Sequence, residues 1–170
     1  MSGTTGAIAA DCDEAHLAGS EHDPSTGTAS SPWPLQTRLE LAAHWTAPGV
    51  VRGHVRAVAC ECGLAGLADT AELLASEIAT NAVLASGQLS TRADLAVVPV
   101  IRLCVTSDGV CLTIHVWDGS DQMPVLKDFA VDEENGRGLF LVATLGKDWG
   151  AYRKKDGGKV VWVMITAADP

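Results

Sequence analysis

The sequence has few basic residues. It contains 12 Lys and Arg against 21 Asp and Glu, which gives a net charge of -9 over 170 residues. Binding to nucleic acid depends on Lys and Arg that neutralise phosphates. The excess of acidic residues therefore argues against direct nucleic-acid binding, and it favours a protein whose partners are other proteins.

Long hydrophobic runs are also missing. No stretch approaches the ~20 consecutive apolar residues that a membrane-spanning helix needs. The first residues, MSGTTGAIAADCDEAH, lack the positive charge and the apolar core of a secretory signal. We therefore expect a cytoplasmic protein with no membrane partner. With 47% hydrophobic residues, the chain is long enough for one domain with a sizeable core.

Cysteines are few, and their spacing suits neither disulfides nor zinc. The chain has five: Cys12, Cys60, Cys62, Cys104 and Cys111. An odd number without a secretion signal argues against a disulfide framework. Cys60-Glu61-Cys62 is a C-x-C with no second pair or histidine cluster to complete a zinc site. We expect the cysteines to be buried free thiols.

Composition divides the chain into a tail and one domain. Residues 1–32 are rich in Gly, Ala, Ser, Thr and Asp and have no apolar period, which predicts a disordered tail. The folded domain is expected over residues 33–170. Its first segment, with Leu35, Leu39 and Leu41 among polar residues, is strand-like.

Two helices are predicted next. Apolar residues between Val50 and Cys62 follow a helical spacing, with Thr46 as the expected N-cap. Asp69 followed by Glu72 resembles a capping box, which would begin a second helix over about residues 70–87.

The second half of the chain alternates between β-rich stretches and loops. VVPVIRLCVTS and VCLTIHVWD flank Asp108-Gly109, a signal for a type I′ hairpin. Residues 119–135 read as a loop and residues 136–146 as a short helix, before a final hairpin formed by DWGAYRK and KVVWVMIT. This order predicts an α+β fold: a two-layer sandwich in which helices cover one face of a mixed, mostly antiparallel sheet.

Glu77 and Asn81 are the first candidates for chemistry. Their i, i+4 spacing places them on one face of the second predicted helix. A carboxylate there can act as a general base, and an amide oxygen is a ligand that Mg²⁺ accepts beside substrate phosphates. The alternative is a polar helix face that contacts solvent.

Two further stretches have a similar double interpretation. Asp118 ends an apolar strand and precedes Gly119, so its carboxylate can accept a hydrogen bond from a ligand amine; a simple strand-end turn is the alternative. Gly136-Arg137-Gly138-Leu139 precedes an apolar helix, where exposed backbone N–H groups favour an anion; an ordinary helix start is the alternative.

Together these motifs resemble a known ATP-binding fold. ELLASEIATNAV, VWDGSDQMP, ENGRGLFLVATLGKDWG and GGKVVWV lie within roughly residues 45–165. They resemble the GHKL superfamily of gyrase, mismatch-repair ATPases and histidine kinases. Within it, the chain is most similar to the anti-sigma factor serine/threonine kinase family and its stand-alone actinobacterial relatives. The resemblance implies the Bergerat fold, with ATP bound between the helices and a lid.

The resemblance also implies roles for individual residues. Asn81 would hold Mg²⁺ on the triphosphate, and Glu77 would be the general base. Asp118 would accept a hydrogen bond from the adenine amino group, and Gly119 would begin the hinge of the nucleotide lid. The backbone amides of a second glycine box would meet the phosphates; its residues are Gly136, Arg137, Gly138 and Leu139.

The implied cofactors are ATP and Mg²⁺. The implied partners are a sigma factor, an anti-anti-sigma protein that would be phosphorylated on a serine, or both. Relatives of this kind often form homodimers, so a homodimer is also compatible with the resemblance.

Three positions depart from the family pattern. Leu84 and Ala85 stand where close relatives have Arg-His, and Val160 stands where a threonine usually supports the adenine site. These losses favour an alternative: an inactive protein-binding module on the same fold, with weak or no nucleotide binding. A sensor histidine kinase is a third option, but the region before residue 45 is too short and polar for a dimerisation helix pair with a phosphoacceptor histidine.

Overall fold

The computed structural model describes residues 35–90, 98–125 and 137–167. The tail predicted over residues 1–32 and Gly136 of the second glycine box lie outside the described residues. The strands are β1 (Leu35–Ala42), β2 (Val100–Ser107), β3 (Cys111–Asp118), β4 (Asp148–Arg153) and β5 (Lys159–Thr166). The helices are α1 (Ala47–Glu61), α2 (Ala68–Ser90) and α3 (Arg137–Leu145), with a 3-10 turn at Ala65–Leu67.

The five strands form one sheet in the order β1-β2-β3-β5-β4. Every strand pairing among the described residues is antiparallel, so the prediction of a mixed sheet is wrong in that detail. Hairpin connections join β2 to β3 and β4 to β5, and they account for two of these four antiparallel pairings. The prediction of an α+β fold is confirmed.

The core lies between the helices and one face of the sheet. Alternate residues of each strand point to the same face, and in β2, β3 and β5 one alternating set is buried: Ile101, Leu103, Val105, Leu112, Ile114, Val116, Val161, Val163 and Ile165. Apolar residues of α1 and α2 complete this core: Val51, Val55, Val58, Leu74 and Ile78. Asp118 belongs to the same alternating set as Val116, so the end of β3 directs a carboxylate toward the helix side of the sheet.

The β2–β3 turn differs from the predicted type I′ turn. Ser107 pairs with Leu112, so four residues separate the paired positions instead of two. Asp108 Oδ1 accepts hydrogen bonds from the backbone N–H of Val110 (2.9 Å) and Cys111 (2.7 Å). These bonds lower the pKa of the Asp108 carboxyl, with the Cys111 bond as the main cause. The aspartate itself therefore organises the longer turn.

Thr46 is the N-cap residue of α1, as predicted, but its side chain does not cap the helix, and the predicted capping box at Asp69 is wrong. Thr46 has an α-helical conformation and makes no side-chain cap bond, and its hydroxyl lies 3.0 Å from His44 Nδ1. The second helix starts at Ala68, which places Asp69 inside its first turn. Asp69 and Glu72 accept hydrogen bonds from Arg56 at 3.0 and 2.9 Å. The two carboxylates therefore link α2 to α1 instead of forming a capping box.

The four described cysteines are free thiols, but the prediction that they are buried is wrong. Cys60 is exposed, and Cys62, Cys104 and Cys111 are partly exposed. Cys12 lies outside the described residues. None of the helices in the three described ranges is both long enough and apolar enough to cross a membrane.

Candidate functional site

Glu77 and Gly138 bring the first and third predicted motifs together. Glu77 is half-buried on α2, and Gly138 is the second residue of α3. A Cβ atom at Gly138 would overlap Glu77 Oε2 and would lie 3.3 Å from Glu77 Cβ. A larger residue at this position would therefore require the Glu77 carboxylate to move. The contact places the Glu77 carboxylate at the start of α3, where helical N–H groups lack intrahelical acceptors.

Asn81 lies one turn further along α2 and is exposed. No described residue forms a hydrogen bond with its side-chain amide. Residues four apart on a helix share a face, so the amide and the Glu77 carboxylate project from the same side of α2. Mg²⁺ takes one or two protein oxygens and completes its octahedron with substrate phosphates and water. An accessible amide oxygen at Asn81 fits that requirement.

Asp118 is deeply buried at the end of β3, with 1% of its surface exposed. Its Oδ1 accepts hydrogen bonds from the Ser120 N–H (2.9 Å) and from Lys159 Nζ (2.8 Å). Its Oδ2 is buried and has no hydrogen-bond partner within the described residues. Burial raises the pKa of the Asp118 carboxyl, and the hydrogen bond from Lys159 opposes that rise.

The open oxygen of Asp118 indicates a ligand. A buried acceptor without a partner costs about 1–3 kcal/mol, and native proteins seldom leave such a group unexplained. An amino group of a ligand would supply the missing donor. The residues present therefore fit a nucleotide whose base carries an exocyclic amine at Asp118 and whose phosphates approach the start of α3.

The segment after Asp118 is anchored to the β4–β5 turn. Gly119 is exposed, but two residues later Asp121 Oδ1 accepts a hydrogen bond from the Gly158 N–H at 3.2 Å. Arg153 Nε donates to the Asp121 carbonyl oxygen at 3.1 Å. The start of the predicted lid is therefore tied down at Asp121, and residues 126–136 lie outside the described residues.

Gly158 holds the turn against the base end of the site. Its φ of +77° favours glycine. A Cβ atom there would overlap the Asp118 carbonyl oxygen and would lie 2.7 Å from Trp117 Nε1. That indole nitrogen donates to the Gly157 carbonyl oxygen at 3.2 Å. The turn before β5 is thus fixed next to the backbone of Asp118.

The other residues of the second glycine box are less informative. Arg137 is exposed at the first position of α3, and Leu139 is half-buried two residues later. Gly136 is outside the described residues. Of this box, the structure therefore brings Gly138 to Glu77 and places Arg137 and Leu139 on the same short helix.

Lys159 is the site residue that sequence reasoning missed. It is 5% exposed and lies directly opposite Asp118 in the antiparallel pairing of β3 and β5. Val160 pairs with Trp117, on the face of the sheet opposite to Asp118. The absence of a threonine at position 160 therefore removes no partner from Asp118 in this chain, and the preceding residue, Lys159, contacts Asp118 instead. Only the pairing register of β3 against β5 brings Lys159 to Asp118, and no local sequence signal predicts that register.

Comparison with known families agrees with this geometry. The profile of the histidine kinase-like ATPase domain matches residues 41–165, a range that runs from β1 to β5. No curated protein gives a significant match to the chain. The family implies ATP binding, typically with Mg²⁺. The chain belongs to the histidine kinase-like ATPase domain family, within the GHKL superfamily.

Proposed function

We propose that the protein is an ATP-binding regulator of the anti-sigma serine kinase type. It binds a sigma factor or an anti-anti-sigma protein, and it phosphorylates a serine of the latter with Mg-ATP. The contact of the Glu77 carboxylate with Gly138 carries this proposal. It brings a candidate general base to the helix start where phosphates would bind, one helical turn from Asn81.

Each residue has a distinct task in this proposal. Bound Mg-ATP supplies the transferable phosphoryl group, and the protein contributes mainly positioning and charge compensation. Glu77 would orient the serine hydroxyl of the partner and accept its proton as the serine oxygen bonds to the γ-phosphorus. The bond from that phosphorus to the β–γ bridging oxygen would break at the same time, and ADP would leave. Asn81 would supply an oxygen to the metal, the backbone N–H groups at the start of α3 would bind the phosphates, and Asp118 would accept a hydrogen bond from the amine of the base.

The first test is calorimetric titration of the protein with a non-hydrolysable ATP analogue and Mg²⁺. We expect saturable binding by the wild type and its loss in Asn81→Ala. Thr80→Ala is the matched control, since Thr80 is exposed on the same helix and its hydroxyl donates to the Ser76 carbonyl oxygen. A folded wild-type protein that binds no analogue at millimolar concentration would refute the kinase proposal.

The second test measures phosphate transfer. Radiolabelled γ-phosphate should appear on the serine of an anti-anti-sigma partner, and Glu77→Gln should abolish transfer while nucleotide binding remains. Transfer that survives Glu77→Gln unchanged would show that Glu77 is not the base.

Exposed apolar residues beside the site favour a second candidate, a non-catalytic protein-binding module. Leu84 lies on α2 one turn beyond Asn81 and is 62% exposed, and Phe140 on α3 is 41% exposed. Apolar side chains on the surface next to a site are suited to a protein partner. This candidate predicts that partner binding is weakened by Leu84→Asp and is unaffected by nucleotide or by Asn81→Ala.

A further inference from the structure

We propose that Lys159 recognises the nucleobase directly. Asp118 Oδ2 accepts a hydrogen bond from the exocyclic amine of the base. The Lys159 ammonium donates a hydrogen bond to the ring nitrogen next to that amine. This inference rests on the proposed nucleotide site and adds a specificity-determining residue to it. Asp118 and Lys159 together would then recognise an edge that carries one donor and one neighbouring acceptor, as the amino group and N1 of adenine do.

The burial of Lys159 is the first argument. Lysine is seldom fully buried unless it is paired, and removing an ammonium from water is costly. Lys159 Nζ donates to Asp118 Oδ1 at 2.8 Å, with both side chains almost inaccessible. An ammonium has three N–H donors, and this is the one hydrogen bond that the described residues provide. Within the described part of the chain, two donors therefore remain without an acceptor.

The position of the two open groups is the second argument. Asp118 and Lys159 form a direct cross-strand pair and share the helix-facing side of the sheet. One oxygen of the carboxylate is used by Lys159 and Ser120, and the other is open. An open acceptor and open donors thus lie side by side at the same buried end of the site. A ligand edge with a donor next to an acceptor would satisfy both.

Rigidity of the surrounding backbone is the third argument. Lys159 follows Gly158, whose N–H donates to Asp121 Oδ1 and where a Cβ atom would overlap the Asp118 carbonyl oxygen. The first residue of β5 therefore has a fixed position relative to the end of β3. Groups that are held in place before binding lose less entropy when the ligand arrives. This is the arrangement expected of a recognition pair.

The purely structural alternative makes a different prediction. If Lys159 only neutralises Asp118, the protein should respond to the amine of the base and should ignore the neighbouring ring nitrogen. The two roles can be separated in the unmodified protein with nucleotide analogues, without relying on the folding of any variant.

The test is calorimetric titration of the full chain with Mg²⁺ and four nucleotides. They are ATP, 1-deaza-ATP, which lacks the ring nitrogen, the triphosphate of purine riboside, which lacks the amine, and 7-deaza-ATP as a control. We expect 1-deaza-ATP to bind about 10- to 100-fold more weakly than ATP, the usual effect of losing a hydrogen bond to a charged group. The purine analogue should also bind more weakly, and 7-deaza-ATP should match ATP.

A variant completes the cycle. Lys159→Met should bind ATP about as weakly as the wild type binds 1-deaza-ATP, and it should no longer distinguish the two. Lys155→Met is the control, because Lys155 is an exposed lysine on the β4–β5 turn. Circular dichroism checks that Lys159→Met is folded; if it is not, the wild-type comparison decides alone.

The outcomes separate this inference from the proposed function. Equal affinity of the wild type for ATP and 1-deaza-ATP overturns the role of Lys159 and leaves the ATP-binding proposal intact. Absence of binding to all four nucleotides by a folded wild-type protein overturns both. If Lys159→Met loses affinity for ATP and for 1-deaza-ATP by the same factor, it still prefers ATP as strongly as the wild type does. That result assigns the preference to another group, and it also overturns the inference.

Discussion

Replacing Gly138 with alanine tests the central contact of the site without any ligand. Alanine is favoured over glycine in a helix by up to about 1 kcal/mol. At Gly138, however, the new methyl group would overlap Glu77 Oε2 and press on Glu77 Cβ. Forcing an extra carbon into an occupied space typically costs about 1–3 kcal/mol. We therefore expect Gly138→Ala to leave stability unchanged or to lower it by up to ~2 kcal/mol.

The same substitution should have the opposite effect once Glu77 is shortened. In a Glu77→Ala background the overlapping carboxylate is gone, so Gly138→Ala should stabilise the protein by up to about 1 kcal/mol. The difference between the two backgrounds is the coupling energy, expected to be about 1–3 kcal/mol for residues in contact. Glu77→Gln retains the shape of the side chain, so in that background the cost of Gly138→Ala should persist.

Urea denaturation followed by far-ultraviolet circular dichroism measures these free energies of unfolding. Gly53→Ala is the matched control, because Gly53 lies in α1 with no atom near the position of a Cβ. It should stabilise the protein equally whether or not Glu77 is present. If Gly138→Ala also has the same effect in both backgrounds, the carboxylate does not lie against α3 and the proposed general base loses its position.

Three further predictions concern the turns and the buried carboxylate. Gly158→Ala should lower the free energy of unfolding by at least about 2 kcal/mol, because the residue has φ +77° and its methyl group would overlap the Asp118 carbonyl oxygen; a change below 0.5 kcal/mol in urea denaturation would contradict the close approach. The pKa of Asp108 is lowered from 3.8 by its backbone hydrogen bonds. The contribution of its carboxylate to the free energy of unfolding is therefore present above pH 3.8 and is lost as pH falls through the folded-state pKa. Asp108→Ala should therefore lower the free energy of unfolding by about 1 kcal/mol at neutral pH, a modest value because Asp108 is exposed, and by less in acid. A loss of stability that grows on acidification would be inconsistent with this. The pKa of Asp118 is raised from 3.8 by burial. The contribution of its carboxyl group to the free energy of unfolding is therefore greatest below pH 3.8 and declines as pH rises through the folded-state pKa. The stability of the wild type relative to Asp118→Asn should fall over that range, and a rise would show that Lys159 outweighs burial.

The order of the elements was predictable because local patterns determine it. The second helix has apolar residues at helical spacing, and each hairpin has two β-rich stretches around a turn that contains glycine. The predicted final hairpin corresponds closely to β4 and β5. Glu77 and Asn81 were placed on one helix face by spacing alone, and that placement needs no knowledge of the tertiary structure.

Details that depend on distant partners were not predictable in the same way. Asp69 and Glu72 have the spacing of a cap, yet they bind Arg56 because α1 packs beside them. Asp118 and Lys159 are 41 residues apart, and only the register of β3 against β5 places them together. The same register places Val160 on the other face of the sheet. A shift of one residue would exchange the two, since neighbouring residues in a strand face opposite sides.

The two ends of the candidate site are held by different interactions, and this separates their roles. At the base end, Asp118 and Lys159 are buried, and the neighbouring turn is fixed by Gly158. A change there removes a partner from a buried charge, which usually destabilises the whole fold. At the other end, Asn81 is exposed, and α3 has nine residues, fewer than the about 12–15 that an isolated helix needs for stability.

The position of α3 must therefore come from its contacts, with Val142 in the core and Gly138 against Glu77. Substitutions at Asn81 can then alter the site while the fold persists, whereas substitutions at Asp118 or Lys159 affect both. This difference makes the phosphate end the place where a catalytic protein and a pure binding module of the same fold would diverge. Leu84 and Ala85, the positions that depart from the kinase pattern, follow Asn81 on α2.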